Sequence, residues 1–588
     1  MAPRMVSSAD VDLAVYEHGD PTHPTVLLVH GYPDTHGVWA DVVAVLAADH
    51  HVVTYDVRGA GASDAPCCRS RYRVAELAAD LMAVADAVSP DEPVHVVGHD
   101  WGSTQAWEAV TEPGAQRRIA SFTSISGPSI DHLGHWVRRR LTRPTPRRLR
   151  QVLGQLARSW YIAAFQVPVL PELVVRFAVA PRWASFLARA EGVRPRPGHP
   201  APTVVRDAVN GIRLYRANLG SRRPPRHRTT AVPVQVIHPV GDHYVSRALV
   251  EDIERWVPTL WVRTVRAGHW APVTHGATIA AMVSELVAHA GGAPAARALA
   301  RTRVDASAPP FAHRLVVVTG SGSGIGRATA LAFAAAGAEV VGCDLDLLAA
   351  ERTADLVRGI NGRRVADEAG LPRADEAGLL GGTAAHAYQV DVADEAAVRA
   401  FASTVAAEHG VPDVVVNNAG VGHAGPFLAT TADQWRRVLD VNLWGVIHGC
   451  RAFGELMVER GEGGHIVTVA SAAAYTPTRL LPAYSTSKAA VLMLSECLRA
   501  ELAGAGIGVT AICPGIVHTD ITRTTTWSGA TEAEQAANRE RTTRLYARRG
   551  FGPERVAAAI LRAVRRNTAV APVTIEARAA RLLSRVRS

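Results

Sequence analysis

Three clusters of residues in this sequence have the types and spacing to do chemistry. The first is Gly98–His99–Asp100–Trp101–Gly102, which follows the apolar run VHVVG and precedes an amphipathic segment. A G-x-nucleophile-x-G turn between strand and helix pushes its middle side chain out at the C-terminal edge of a sheet. A carboxylate at that position suits attack on saturated carbon, because the ester it leaves can be cleaved by water, whereas serine would leave a stable ether. Asp242 in VGDHYV and His269 in AGHWAP follow in the order nucleophile, acid, base. His269 is expected to activate water while Asp242 holds its tautomer. The backbone N–H groups of Tyr32, in HGYP, and of Trp101 are the expected oxyanion hole.

The second cluster is TGSGSGIG, Thr319–Gly326, placed between the apolar run LVVVT and a helical pattern. Such glycines let a pyrophosphate approach the backbone at a helix N-terminus. Asp344 ends the next apolar run, where a carboxylate accepts from a ribose 2′-OH and repels a 2′-phosphate, so NAD is expected over NADP. No basic residue lies between Gly320 and Gly324, which points the same way. The third cluster is YSTSK, with Tyr484 and Lys488 one helical turn apart. Of 63 basic residues 62 are arginine, and Lys488 is the single lysine. Its ammonium is expected to lower the Tyr484 phenol pKa and favour the form that takes a proton from an alcohol. Ser471 can bond the reacting oxygen and Asn442 can hold a relay water.

Elements must place these groups. Val26–His30, His51–Asp56, Val94–Gly98, Val234–Val240 and Leu260–Val265 read as buried strands alternating with helical segments. After the Ala/Pro/Gly/Arg-rich stretch 291–310 the alternation restarts, at Leu315–Gly320, Ala338–Asp344, Ala387–Asp391, Asp413–Gly420, His465–Ser471 and Gly508–Gly515. The chain therefore reads as two α/β domains, 1–290 and 311–588, joined by a linker at 291–310. A doubled ADEAGL, at 366–371 and 374–379, reads as an enlarged surface loop.

Composition excludes several classes. The 588 residues are 48% hydrophobic and 20% charged, as in an ordinary globular chain. No apolar run reaches the length of a membrane span, and the first residues lack a signal-peptide core. Six cysteines without a C-x-x-C pair argue against a disulfide scaffold and a zinc ribbon, and suit a reducing, cytoplasmic setting; no metal site is expected. The net charge of +9 reflects arginine-rich coding, and no nucleic-acid module accompanies it. The run Arg138–Arg150 carries seven arginines and no acid. It reads as a solvated face, or as contact with an anionic membrane surface.

The first half resembles the α/β-hydrolase-fold epoxide hydrolases over about 1–290. That resemblance implies a helical lid at about 131–230 carrying two tyrosines that protonate the epoxide oxygen. SWYIAAFQVP supplies Tyr161 and GIRLYRAN supplies Tyr215. Haloalkane dehalogenases share the Asp-Trp turn and are the rival reading; a catalytically inactive binding module is the other.

The second half resembles the short-chain dehydrogenase/reductase family, a Rossmann fold, over about 311–588. The resemblance rests on TGSGSGIG, NNAG at Asn417–Gly420, Asn442, Ser471, Tyr484 with Lys488, and Pro514-Gly515. It implies a dinucleotide site built from Gly320, Ser323, Gly324, Ile325, Gly326, Asp344, Asp391, Val392, Asn418, Ala419, Gly420, Tyr484, Lys488, Pro514, Gly515 and Thr519. It also implies a homo-oligomer. The whole chain resembles epoxide hydrolase–dehydrogenase fusions of actinobacterial type. The expected substrates are small-molecule or lipid epoxides and secondary alcohols or ketones, used either in sequence or independently.

Overall fold

A computed structural model describes residues 3–219, 224–359 and 384–586. The chain divides into two compact units, Met1–Val304 and Asp305–Ser588. None of the described helices is long and apolar enough to cross a membrane.

The first unit holds eight strands: β1 Arg4–Ser8, β2 Val11–His18, β3 Thr25–Val29, β4 His51–Tyr55, β5 Val94–His99, β6 Ile119–Ile125, β7 Val234–Pro239 and β8 Leu260–Val265. Their order is β1-β2-β4-β3-β5-β6-β7-β8. The pairs from β4 to β8 are parallel, and β1 and β2 form an antiparallel edge. Strands β3, β4 and β5 are buried at every position, because helices cover both faces of the sheet. Trp107 and Phe122 fill the core on one face, and Trp39, Ile279 and Met282 fill it on the other. β1, β2 and β6 gave no continuous apolar run in the sequence. β1 is the edge strand and β2 lies between it and β4 with an exposed position of its own, and β6, IASFTSI, buries small polar residues with its apolar ones.

Between β6 and β7 the chain forms a helical lid, from Ile130–Thr142 and Pro146–Arg158 through Trp160–Phe165 to Val204–Asn218. Ser129 and Thr145 cap the first two helices by accepting the backbone N–H of His132 and Arg148.

The stretch expected as a linker is only partly one. Leu299, in the short helix Arg297–Ala300, is buried with Trp261 and Leu286. Val304 donates its N–H to Leu260 O and Val262 donates to Thr302 O, so the chain through residue 304 finishes the β8 edge. Composition alone could not separate an Ala/Arg-rich packed helix from a tether.

The second unit is a parallel sheet of β9 Leu315–Thr319, β10 Glu339–Asp344, β11 Ala385–Gln389, β12 Val414–Asn417, β14 Gly464–Val469, β15 Ile507–Cys513 and β17 Val570–Pro572. The order is β11-β10-β9-β12-β14-β15-β17. Two short segments, β13 His423–Ala424 and β16 Thr526–Trp527, pair apart from it. The strand order reverses between β9 and β12, which opens a crevice at their C-terminal ends. Asn418, just past β12, donates Nδ2 to the carbonyls of Thr319 at 3.0 Å and Gly320 at 3.1 Å across that crevice. The ADEAGL repeat lies outside the described residues.

Candidate active sites

In the first unit, Asp100 follows β5 with φ +52° and ψ −121°, a backbone conformation strained for any residue but glycine. A Cβ on Gly31 would stand 2.5 Å from Asp100 Cβ, so the turn after β3 can lie this close only as glycine. That closeness delivers the Tyr32 N–H to Asp100 Oδ2 at 2.8 Å. The Trp101 N–H donates to the same carboxylate. Both amides expected to form the oxyanion hole thus already hold the acid. Burial raises the Asp100 pKa to about 6, against the pull of His269 and these amides.

His269 Nδ1 lies 3.1 Å from Asp242 Oδ2, and its Nε2 lies 3.8 Å from Asp100 Oδ1. Asp242 also accepts from the backbone N–H of Tyr244 at 2.7 Å and Val245 at 2.9 Å. Burial opposes both charges, but the pair prevails. Asp242 is lowered to about 2, and His269 is raised to about 9 by Asp242 and then Asp100.

Tyr161 and Tyr215 come from separate lid helices, Trp160–Phe165 and Val204–Asn218, and their rings meet edge to face at 5.7 Å. Tyr215 also contacts Trp101 at 5.0 Å and Tyr32 at 5.4 Å. Burial, reinforced by the Asp100 charge, raises the pKa of both phenols, so they stay protonated. The structure therefore gathers every residue expected at this site around one carboxylate.

It also adds two that the sequence did not signal. The Glu191 carboxylate, at the end of the lid helix Trp183–Ala190, accepts the His269 backbone N–H at 2.8 Å. The Tyr244 ring packs on the imidazole at 4.8 Å. Glu191 stands outside any motif, 78 residues from its partner.

In the second unit, Tyr484 and Lys488 sit on the helix Pro482–Leu502. Lys488 is buried, and its Nζ donates to Val469 O at 2.8 Å while lying 5.8 Å from the Tyr484 ring centroid. Burial lowers Lys488 to about 8 and raises Tyr484 to about 12, the latter against a hydrogen bond from Ser471. The expected lowering of the phenol pKa by Lys488 is therefore not seen. Desolvation dominates the phenol, and the ammonium is turned to a carbonyl. Asn442 lies in a π turn, Asp440–Trp444, between two α-helices. It accepts from Val421 N–H at 2.8 Å and donates to Val421 O at 3.0 Å and Ser487 Oγ at 3.3 Å.

The glycine turn fits a dinucleotide by its shape. Gly320 has φ +65°, and a Cβ on Gly326 would stand 2.0 Å from Gly320 O, so only bare backbone leaves this turn open to a phosphate. Ser323 precedes the helix Gly324–Ala335, Ile325 packs on the core, and Thr519 lies 3.2 Å from where a Gly324 Cβ would be. Asp344 Oδ2 accepts the Gly322 N–H at 2.9 Å, which ties the acid to the turn. Ala419 N–H bonds Thr319 Oγ1, and Gly420 stands beside Asn442 and Lys488. Val392 packs against Gly445, Asp391 accepts the Ala393 N–H, and Pro514 O accepts the Ala472 N–H. Gly515 approaches Thr574 and Glu576 so closely that a side chain would collide. Folding returns one cation that linear spacing hid: Arg327 bonds the Gly322 carbonyl and Thr353 Oγ1.

No metal site was expected. Among the described residues, Glu339, His386 and His409 bring one ligand atom each within 4.8 Å of one another. They come from three elements, so no spacing announces them.

The sheet order, the strained turn at Asp100 and the Tyr484–Lys488 helix define an α/β-hydrolase followed by a short-chain dehydrogenase. The family model described as alpha/beta hydrolase fold matches residues 24–276, and that described as short chain dehydrogenase matches 314–528. The chain belongs to the family of full-length fusions of these two domains. It is 45% identical over 595 residues to "Probable oxidoreductase EphD" of Mycobacterium tuberculosis, covering 99% of this chain and 96% of that protein. The protein of the same name in Mycobacterium bovis matches equally. The dehydrogenase half is also similar to 2-(R)-hydroxypropyl-CoM dehydrogenase of Xanthobacter autotrophicus, 38% identical over 148 residues, 24% of this chain and 59% of that protein. Among solved structures, a short-chain dehydrogenase/reductase of Burkholderia phymatum in complex with NAD is 30% identical, covering 47% of this chain and 93% of that one, with a TM-score of 0.39.

Proposed function

We propose that the first unit hydrolyses an epoxide to a vicinal diol through an ester on Asp100, and that the second interconverts a secondary alcohol and a ketone with NAD. The observation that carries the first reading is the seating of Asp100. Its Oδ2 is held by the Tyr32 amide, and its Oδ1 is left toward His269.

Oδ1 attacks a ring carbon, and the carbon–oxygen bond of the epoxide breaks. Tyr161 and Tyr215 stabilise the leaving oxygen, one of them giving it a proton. A halide would leave without a proton, so two buried phenols favour the epoxide over carbon–halogen cleavage. Once the ester forms, Asp100 no longer carries charge, and one of the influences raising His269 disappears. Neutral His269 then takes a proton from water, whose oxygen adds to the ester carbon. The resulting oxyanion is held by the Tyr32 and Trp101 amides, a contribution of about 3 kcal/mol per donor. The acyl–oxygen bond breaks, the departing oxygen (the former Oδ1) takes the His269 proton, the second proton of the water restores the phenol, and Asp100 keeps the oxygen from water as a carboxylate.

In the second unit, Tyr484, held protonated by burial, gives its phenol proton to the oxygen in ketone reduction, and in alcohol oxidation it takes the alcohol proton only after losing its own, while Ser471 orients the reacting oxygen. Lys488 and Asn442 order the surroundings of the phenol. NAD, when bound in the Gly320–Gly326 turn, supplies the hydride acceptor. Asp344 supports NAD over NADP by placing a carboxylate at the end of β10, and Arg327 is already engaged with a carbonyl. The diol product of the first reaction is itself a secondary alcohol, so sequential use is chemically consistent.

Turnover in ¹⁸O-water followed by mass analysis of the Asp100 peptide tests the ester route. Label in that carboxylate is the expected result, and its absence removes the route. For the second unit, alcohol-dependent NAD reduction should disappear in Tyr484→Phe.

A further inference from the structure

Of the 29 large apolar side chains that the described residues expose, 13 lie between Leu141 and Phe186, in the lid. That segment is 46 residues of 588, so the concentration is not ordinary surface scatter. On the helix Pro146–Arg158, Leu149, Leu153 and Leu156 form one exposed stripe, while Val152 and Gln155 are buried behind it. Trp160 at 69%, Val169 at 63% and Phe177 at 66% exposure are the most exposed apolar side chains of the lid segments that follow.

The charge of the same segment is one-sided. It holds seven arginines and a single acid, Glu172. Glu172 is neutralised by Arg216, which reaches both of its carboxylate oxygens. The arginine run noted in the sequence divides in two. Arg139, Arg140 and Arg147 bond Asp252 or Glu251, whereas Arg143 and Arg150 remain exposed, as does Arg158 beyond the run at the end of the leucine-bearing helix.

We propose that this lid face docks on an anionic lipid bilayer. Leucine, phenylalanine and tryptophan side chains bordered by arginines match an interface that is apolar within and negatively charged at its surface. A second copy of the face would set arginine against arginine. The short helix Trp160–Phe165 turns Trp160 outward, while Tyr161 and Phe165 pack inward with Tyr215. The docked face and the reaction site therefore share one helix. Resting on the epoxide reading above, the substrate class is an epoxide resident in the bilayer, admitted at the lid.

The full chain is sedimented with vesicles of phosphatidylcholine alone and with vesicles containing phosphatidylglycerol. Binding at least about tenfold tighter to the anionic vesicles at low salt, and weakened in 0.5 M NaCl, is expected. Leu153→Ser with Phe177→Ser, and separately Arg150→Glu with Arg158→Glu, should each reduce binding about tenfold or more. Hydrolysis of a small water-soluble epoxide should be unchanged, which also reports that the variants fold. Equal binding to both vesicle types, no binding, or binding unaffected by either pair overturns the proposal. So does sedimentation velocity showing that the exposed leucines hold two copies of the chain together. Loss of small-epoxide turnover by wild-type protein that still binds vesicles would overturn the hydrolase reading alone.

Discussion

His269 Nε2 stops 3.8 Å from Asp100 Oδ1, beyond hydrogen-bonding reach, so the imidazole does not tether the carboxylate. Its place suits the second half of the reaction, in which water must be deprotonated beside the ester. His269→Gln should therefore still be alkylated by substrate while hydrolysing its ester about a thousandfold more slowly. Intact-protein mass spectrometry would show the mass of one epoxide added to the variant. A variant that stays unmodified at saturating epoxide contradicts this division of labour.

The ionisation of Asp100 sets the pH dependence of the first step. With its pKa raised to about 6 by burial, single-turnover ester formation should increase as pH rises through that value and then level off. Stability has a separate dependence. His269 is raised from 6.5 to about 9, so the stabilisation of its protonated form is complete below 6.5 and is lost as pH rises through 9. Asp242 is lowered from 3.8 to about 2, so its contribution is present above 3.8 and is lost as pH falls toward 2. Thermal unfolding followed across this range should show both slopes, and His269→Gln should remove the alkaline one.

On the proposed epoxide route, each lid phenol donates to the same developing alkoxide. Tyr161→Phe and Tyr215→Phe should each slow ester formation about 10- to 100-fold, and the double variant should abolish it. Because the two rings touch, the effects should not add. Stopped-flow measurement of ester formation separates this loss from any effect on hydrolysis.

In the second unit, Asp344→Ser removes the carboxylate tied to Gly322. The ratio of kcat/KM for NAD to that for NADP should fall by about tenfold or more, because the charge that repels a 2′-phosphate is gone. Lys488→Arg should not restore activity. The lysine is buried against Val469 O, where a planar guanidinium does not fit the same single contact.

What could be read from the sequence was what is local. Continuous apolar runs announced β3, β4 and β5, since both faces of those strands are covered. The turn at Asp100 and the Tyr484–Lys488 pair were readable because their geometry is written in adjacent residues or one helical turn. Glu191 was invisible because a surface helix acid carries no sign that it folds back on His269. Arg327 was missed because only residues inside the glycine turn were weighed, and its side chain folds back to the turn from the helix that follows. The phenol pKa went astray for a related reason: helical spacing places Lys488 beside Tyr484 but does not specify where the ammonium points.

With the Tyr32 amide holding Oδ2, Oδ1 is the oxygen left to approach the ring, and it must do so opposite the breaking bond. The carbon it meets changes handedness once. Later cleavage at the acyl carbon never touches that centre again. On the proposed route, a symmetrical cis epoxide fused to a six-membered ring should therefore emerge as the trans diol, its optical sign recording which of two mirror-related carbons the pocket presents to Asp100.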